Sequence, residues 1–211
     1  LKAIADAKLT PEDIDLIILA TATPDMAFPS TACLVQDKIG AVNAAAFDLS
    51  AGCSGFVYGV NVGSQMIATG VYKHILVIGA ETLSKILDWQ DRNTCVLFGD
   101  GAGAAVLSEV EPGYGILSID LGADGSGGES LLQPAGGSRM PATAETVANR
   151  QHYLQMNGSE VLRFATKVMG ASALRVLERA GITSEQVDWL VPHQANIRII
   201  QSAAKRLKLP M

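Results

Sequence analysis

Cys53 is the residue of this chain whose surroundings best suit nucleophilic chemistry. It follows the apolar run 44–49 and stands among small residues in Ser50-Ala51-Gly52-Cys53-Ser54-Gly55. The run predicts a short buried strand and residues 53–69 predict a helix, so we expect Cys53 in the first turn of that helix. Unpaired N–H groups and the helix dipole would favour a thiolate there. A small core cysteine is the alternative interpretation.

His193 is the second candidate for chemistry. The apolar run 187–191 predicts a strand, and Pro192-His193-Gln194-Ala195-Asn196 follows it. Sheets of α/β proteins place their sites at the carboxyl ends of strands, where an imidazole can act as an acid, a base or an oxyanion donor. A structural histidine is the alternative. We expect His74 and His152 to be solvated, in a turn and a polar loop.

The segment from His193 to the last residue carries four cations and no acidic residue, in a chain of net charge −5. It predicts a helix over 197–208. The expected inward face is Ile197, Ile200, Ala204 and Leu207. The expected outward face is Arg198, Ser202, Lys205 and Arg206. A solvated surface would explain these cations, and an acidic or phosphorylated partner would also suit them.

The elements around these residues alternate between strands and helices, which predicts an α/β fold. Strands are expected at 14–20, 44–49, 75–80, 104–107, 115–121 and 187–191. Helices are expected at 1–8, 30–39 with Ser30 as its cap, 53–69, 157–180 and 197–208. Residues 122–150 are rich in glycine and are expected to be largely irregular. Similar helix–turn–strand patterns around 9–19 and 181–191 indicate two related halves, divided as 1–121 and 122–211.

Composition excludes several classes of protein. The chain has 211 residues, of which 48% are hydrophobic and 18% charged. No apolar run approaches the roughly 20 residues of a membrane helix, and the acidic balance disfavours a general nucleic-acid binder. Three scattered cysteines make no disulfide framework and favour a reducing, cytoplasmic compartment. Of these, Cys33 and Cys95 lie in apolar or helical patterns and are expected in the core.

The glycines of Gly99-Asp100-Gly101-Ala102-Gly103 invite comparison with a dinucleotide-binding loop. That fingerprint needs a third glycine and a following helix, whereas a strand is expected to follow here. We therefore predict a tight turn between two strands.

Three stretches together resemble the β-ketoacyl-[acyl-carrier-protein] synthase III family: Asp48–Phe56, Phe98–Ala104 and Val191–Asn196. They occur in the family's order and approximate spacing. The resemblance implies a thiolase-like fold of two α-β-α-β-α halves in a five-layered sandwich, working as a homodimer. It also implies that Cys53 takes an acyl group, typically acetyl, from coenzyme A. Malonyl-acyl carrier protein then loses carbon dioxide, and its carbanion attacks the acyl-cysteine to give a 3-ketoacyl-carrier protein.

The resemblance also implies roles for other side chains. His193 would be a donor at the developing enolate oxygen, together with an asparagine. Arg92 would stack on the adenine of coenzyme A, Asn196 would position neighbouring groups, and Phe28 would reach the partner subunit's acyl pocket. The residues implied to receive the carrier protein are Arg198, Lys205, Arg206 and Arg163. Coenzyme A thioester is a substrate, and neither a metal nor a cofactor is implied.

The family's catalytic asparagine and oxyanion-hole glycine are expected beyond Met211, and its first strand and an adenine-facing tryptophan before Leu1. We therefore expect a chain truncated at both ends. Alternatives are a polyketide- or quinolone-type ketosynthase III, a non-catalytic carrier-binding homologue, and an inactive fragment. Plant-type polyketide synthases share the catalytic groups, but the basic helix favours a user of carrier protein. A thiolase would need a second cysteine near its C-terminus.

Overall fold

The computed structural model describes residues 1–211. They form two compact units. The first contains Leu1–Leu83 and Gly99–Ile116, and the second contains Ser84–Phe98 and Leu117–Met211. None of the helices combines the length and apolar composition that crossing a bilayer requires.

A four-stranded sheet is the centre of the first unit. Its strands are β1 (Leu16–Ala20), β2 (Ala45–Leu49), β3 (His74–Thr82) and β4 (Asp100–Ser108), in the order β2-β1-β3-β4. The strand β1 is parallel to β2 and β3, and β4 is antiparallel to β3. All five residues of β1 are buried, because both faces of the sheet are covered. The predicted strand over 14–20 is therefore confirmed as a central strand.

Helices cover the two faces of this sheet. The helices α1 (Lys2–Asp6) and α2 (Thr31–Ile39) lie on the face that contains Ile17 and Leu19. The helix α3 (Gly55–Ala68) lies on the opposite face, which contains Leu16 and Ile18. Alternate residues of a strand point to opposite faces, so one apolar run supplies both cores. The unit is a three-layered α/β/α arrangement.

Small residues let α3 approach the sheet closely. Its buried positions Gly55, Gly59 and Gly63 recur every four residues and so share one face. A Cβ on Gly59 would lie 2.9 Å from Val77 Cγ1, and one on Gly63 would lie 3.0 Å from Leu107 Cδ1. The backbone of α3 therefore rests directly on the side chains of β3 and β4.

The second unit is mainly helical. Its helices are α4 (Ala144–Ala148), α5 (Gly158–Ala180) and α6 (Ile197–Leu207), and β5 (Leu131–Leu132) pairs antiparallel with β6 (Gln155–Met156). The side chain of Asn157 caps α5 by accepting a hydrogen bond from the N–H of Glu160 at 3.3 Å. Gly181 ends that helix in the left-handed conformation, at φ +67°. The predicted helix over 157–180 is thus confirmed, with α6 packed against it.

Two predicted strands are absent. Residues 115–121 and 187–191 form no strand ladder, because neither segment has a hydrogen-bonded neighbouring strand. The first segment bonds α5 instead: Ser118 Oγ donates to the Val176 carbonyl at 2.6 Å, and Ser172 Oγ donates to Asp120 at 2.7 Å. Neither segment contains a buried residue, and Leu117, Trp189 and Val191 are exposed. An apolar pattern alone does not make a strand, because a strand also needs a partner.

The predicted tight turn at the glycines 99–103 is also wrong. Gly101 and Gly103 lie within β4, opposite Glu81 and Gly79 of β3. The strand therefore begins at Asp100 rather than at Ala104. A glycine-rich run permits a turn but does not require one, and pairing with β3 decides the outcome here.

Several predictions of burial also need correction. Cys33 is exposed, because α2 turns Ala32 rather than Cys33 toward the sheet, and Cys95 is partly exposed. His74 is half-buried in β3, with Nδ1 2.9 Å from Ser108 Oγ. His152 is half-buried as well, and its Nδ1 is buried without a hydrogen-bond partner. Neither histidine is simply solvated.

The inward face of α6 differs from the predicted one at its start. Ile197 is 57% exposed, and the buried residues are Ile199, Ala203, Ala204 and Leu207. Isoleucines at 197, 199 and 200 fit more than one helical stripe, and packing against α5 selects the stripe that begins at Ile199.

Candidate active site

Cys53 lies in the segment that connects β2 to α3. The strand ends at Leu49, a single 3₁₀ turn spans Gly52–Ser54, and α3 begins at Gly55. Gly52 adopts a φ of +52°, a conformation that glycine tolerates best. Cys53 is exposed at this carboxyl edge of the sheet. The predicted position at a strand–helix junction is confirmed, although the helix itself begins two residues later.

The predicted thiolate character of Cys53 is not supported by its surroundings in this unit. Although Cys53 as a residue is exposed, the protein atoms packed around its sulfur shield it from water and raise the pKa of the thiol above its usual value, and the nearby Glu81 carboxylate raises it further. A backbone hydrogen bond opposes both effects and is the weakest of the three influences. The helix-dipole argument considered neither burial of the thiol, which is the larger influence on its pKa, nor the acidic residue that β3 brings to the same edge.

Glu81 joins the end of β3 to the segment that follows β1. Its Oε1 accepts a hydrogen bond from the N–H of Ala22 at 2.9 Å, and its Oε2 accepts one from Thr23 Oγ1 at 2.7 Å. Thr23 Oγ1 in turn accepts a hydrogen bond from the N–H of Thr82 at 2.8 Å. The sequence analysis missed Glu81, although its place just beyond the apolar run 75–80 was a usable signal.

Asp48 performs a similar task on the other side of β1. Its two carboxylate oxygens accept hydrogen bonds from the N–H groups of Thr31 and Ala32, at 2.8 and 2.7 Å. Ser30 occupies the cap position of α2 as predicted, but its side chain makes no capping hydrogen bond. Segment 21–30 is therefore held at both ends by carboxylates, and Phe28 on this segment is 87% exposed.

His193 and Asn196 lie in the second unit, on the segment that leads into α6. His193 is exposed. Asn196 is the cap of α6, because its Oδ1 accepts a hydrogen bond from the N–H of Arg198 at 2.9 Å. Asn196 therefore has a structural task in addition to the role that the resemblance implies. Cys53 belongs to the first unit and His193 to the second.

The cations implied to receive the carrier protein have unequal surroundings. Arg198 and Lys205 are exposed on α6. Arg206 donates a hydrogen bond to the Lys167 carbonyl of α5 at 3.1 Å, and its aliphatic stem lies against Gly170. Arg163 on α5 forms an ion pair with Glu160. Of these four cations, Arg198 and Lys205 are the two whose side chains form no hydrogen bond or ion pair with α5.

Arg92 lies on a turn of the second unit that is stabilised by hydrogen bonds between its own residues. The neighbouring Asp91 carboxylate accepts hydrogen bonds from the N–H of Asn93 at 3.0 Å and from Thr94 Oγ1 at 2.9 Å. The Asn93 bond is the main cause that lowers the pKa of Asp91. Arg92 itself is exposed, so its guanidinium is accessible to a ligand. No group of three or more acidic, histidine or cysteine side chains is arranged to hold a metal ion.

Comparison with known proteins decides the family. The family model described as 3-oxoacyl-[acyl-carrier-protein] synthase III matches residues 47–125, and the model for the C-terminal part of the same synthase matches residues 177–211. Together they cover more than half of the chain. The chain belongs to the 3-oxoacyl-[acyl-carrier-protein] synthase III family. Since 3-oxoacyl and β-ketoacyl are two names for one group, the predicted family is confirmed.

Relatives in this family are similar to almost all of the chain. A β-ketoacyl-[acyl-carrier-protein] synthase III of Caldanaerobacter subterraneus subsp. tengcongensis is 64% identical over 208 residues, which are 99% of this chain and 63% of the relative. The crystal structure of the synthase III from Aquifex aeolicus VF5 matches with a TM-score of 0.87 at 45% identity, over 99% of this chain and 63% of that one.

A third similar protein is named for a different pathway. The priming β-ketosynthase of the R1128 polyketide biosynthetic pathway matches with a TM-score of 0.88 at 34% identity, over 99% of this chain and 61% of that one. These matches confirm the predicted α/β, thiolase-like fold class. The chain spans about 63% of the length of the relatives it matches.

Proposed function

We propose that Cys53 is the acyl-carrying nucleophile of a β-ketoacyl-[acyl-carrier-protein] synthase III, which joins an acyl-coenzyme A primer to malonyl-acyl carrier protein. The observation that carries the proposal is the exposed Cys53 at the junction of β2 and α3. Nothing lies within 4 Å of a Cβ built on Gly52, which leaves room beside Cys53 for a thioester carbonyl. Of the three cysteines, Cys53 alone stands at the carboxyl edge of the sheet within the matched family model.

The proposed reaction has two stages. In the first, the Cys53 sulfur attacks the thioester carbonyl, the carbon–sulfur bond to coenzyme A breaks, and coenzyme A leaves as a thiol with the proton that Cys53 gives up. In the second, malonyl-carrier protein loses carbon dioxide, and the resulting carbanion attacks the acyl-cysteine. The Cys53 sulfur leaves and recovers a proton. Its raised pKa means that the resting residue is a thiol, which must lose its proton during the first stage.

His193 is the proposed donor to the enolate oxygen that develops when carbon dioxide leaves. An imidazole N–H aimed at a developing negative charge stabilises the transition state more than the ground state. The basis of this assignment is the resemblance of Val191-Pro192-His193-Gln194-Ala195-Asn196 to the family motif. We propose Asn196 as a positioning group, because it already fixes the start of α6.

Exposed side chains are the basis of the proposed contacts with substrates and partners. We propose that the accessible Arg92 stacks on the adenine of coenzyme A. The exposed Arg198 and Lys205, with Arg206 and Arg163, would receive the acidic carrier protein. The exposed Phe28 would enter the acyl pocket of a second copy in a homodimer. A reducing, cytoplasmic setting is part of the same proposal, because the three cysteines are all free.

A ketosynthase III that primes a polyketide is the second candidate. It is favoured by the similarity to the priming β-ketosynthase of the R1128 pathway. Both candidates use the same cysteine and differ in the acyl group that they accept. A series of acyl-coenzyme A primers, from acetyl to longer and branched chains, would separate them by relative rates of acylation.

Acylation of Cys53 tests the proposal directly. The chain is incubated with acetyl-coenzyme A, and the adduct is located by intact and peptide mass. Cys33→Ala is the matched control, because Cys33 is also exposed. We expect one acetyl group on the parent and on Cys33→Ala, and none on Cys53→Ala. Malonyl-carrier protein should then remove the acetyl group as a 3-ketoacyl product.

Two results would contradict the proposal. An adduct on Cys33 or Cys95 would assign the chemistry to the wrong residue. Absence of any adduct, in this chain and in one with the full length of its relatives, would favour a non-catalytic carrier-binding homologue. An adduct that forms only in the longer chain would support the role of Cys53 and identify the 211 residues as an inactive fragment.

A further inference from the structure

We propose that Glu81 is a positioning residue of the Cys53 site, which braces segment 21–23 and brings a negative charge to the sheet edge that carries Cys53. This inference rests on the proposed function, because it assigns a task around the same nucleophile. It concerns a residue for which the catalytic scheme above has no use.

Strand register brings Glu81 and Cys53 to one edge. Ala20 of β1 pairs with Leu49 of β2 and with Gly79 of β3, so β1 and β2 end at the level of Gly79, while β3 continues beside β4 to Thr82. Glu81 lies two positions beyond Gly79, and Cys53 lies four beyond Leu49. The N–H of Thr21 also bonds the Leu49 carbonyl at 3.0 Å, which closes the gap between β1 and β2.

The hydrogen bonds of Glu81 make it a brace. Both of its carboxylate oxygens are engaged by segment 21–23, at 2.9 Å from the Ala22 nitrogen and 2.7 Å from Thr23 Oγ1, with Thr21 Oγ1 at 3.5 Å. Charge-assisted bonds to a half-buried carboxylate are stronger than neutral ones. The segment that opens the loop carrying Phe28 is therefore fixed to β3.

Glu81 is the charged group that acts on Cys53. Its carboxylate raises the pKa of the Cys53 thiol. Two other acidic residues lie at this edge: Asp48, which directs both oxygens to the amino end of α2, and Asp100 of β4, which pairs with Thr82. The helix α3 contains no acidic or basic residue, with Tyr58 as its one titratable side chain, and β1 contains none. The charge of Glu81 thus adds to the effect of burial, lowers the thiolate fraction of the resting sulfur and makes it less open to alkylation and oxidation.

Two substitutions separate the charge from the brace. Glu81→Gln removes the charge and keeps an oxygen for the Ala22 N–H. Thr23→Val removes the hydroxyl that bonds Glu81 and keeps the charge. Glu12→Gln is the control, because it makes the same change on the exposed turn Pro11–Asp13. The measurement is the rate of iodoacetamide labelling at each cysteine from about pH 6 to about pH 10, read by peptide mass.

We expect the Cys53 profile of Glu81→Gln to move to lower pH, with labelling near neutral pH at least about twofold faster. Cys33 in the same sample should not change. Thr23→Val should leave the Cys53 profile in place and speed hydrogen exchange at the Ala22 amide roughly tenfold. If the Cys53 labelling profiles of Glu81→Gln and Glu12→Gln coincide, the proposed effect of the Glu81 charge on Cys53 is wrong. If hydrogen exchange at the Ala22 amide is unchanged in Thr23→Val, the proposed bracing of segment 21–23 is wrong. Neither readout needs an acyl substrate, so failure here is distinct from failure of the proposed reaction.

Discussion

A β-carbon built on Gly55 would stand 2.9 Å from the Cβ of Ala20. Gly55 opens α3 directly after the Cys53 turn, and Ala20 is the last residue of β1. Real β-carbons essentially never come this close, so the absence of a side chain at position 55 is what allows the start of α3 to lie against the central strand. The position of Cys53 at the sheet edge depends on this contact.

Gly55→Ala should therefore destabilise the first unit. Overpacking costs about 1–3 kcal/mol, and the better helix propensity of alanine returns up to about 1 kcal/mol. We expect a net loss of about 1–2 kcal/mol in the free energy of unfolding, measured by urea titration. Gly101→Ala is the control, because nothing lies within 4 Å of a Cβ there. Equal stability of the two variants would show that Gly55 is not needed for the contact.

The amino end of α2 offers a second comparison. Asp48→Ala leaves the N–H groups of Thr31 and Ala32 without their carboxylate, and should cost about 1–3 kcal/mol. Ser30→Ala should change stability by less than about 0.5 kcal/mol, because the Ser30 side chain makes no capping bond. Urea titration of both variants measures this difference. A larger loss in Ser30→Ala would mean that the cap is local, as sequence patterns usually imply.

Much of the fold could be predicted from local patterns. The continuous apolar run of β1, the Asn157 and Gly181 ends of α5, and the strand–helix junction at Cys53 each follow from short stretches of sequence. The failures involve partners that are distant in sequence. Residues 187–191 have the pattern of a strand but no neighbour, and the glycines of β4 became a strand because β3 pairs with them.

The same distinction applies to the candidate site. Small residues around Cys53 identified a possible nucleophile, because that signal is local. The effect of Glu81 on its pKa could not be predicted, since 28 positions separate the two residues and only the sheet register joins their surroundings. The sequence pattern assigned the cap of α2 to the nearest hydroxyl, Ser30, whereas the carboxylate of Asp48 in β2 accepts the hydrogen bond at the start of that helix.

Asp120 should make the second unit sensitive to acid. Its carboxylate accepts hydrogen bonds from Arg175 and Ser172, and these lower its pKa from 3.8 to about 2. A depressed pKa in the folded state stabilises the fold above the unfolded value, and this contribution is lost as the pH falls from about 4 to about 2. Asp120→Asn should therefore lower Tm at neutral pH, with the difference from the parent shrinking over that range.

The control for Asp120 is Asp6→Asn, which makes the same change at an exposed carboxylate. Thermal melts followed by circular dichroism from about pH 7 to about pH 2 provide the measurement. A constant Tm difference between Asp120→Asn and the parent at every pH would show that packing around the residue, rather than its charge, is responsible.

The basic residues of α6 should divide into two kinds when they are removed singly. Arg206 bonds the Lys167 carbonyl and lies over Gly170, so Arg206→Ala should lose about 1 kcal/mol of stability through packing and a hydrogen bond. Lys205→Ala, one residue away and exposed, should leave stability unchanged within about 0.5 kcal/mol.

If this face receives an acidic carrier protein, both variants should weaken binding, measured by titration calorimetry. The loss in Lys205→Ala should fade at high salt, because an exposed charge is screened. Binding that is unchanged in Lys205→Ala at low salt would remove α6 from the carrier interface while leaving the structural role of Arg206 intact.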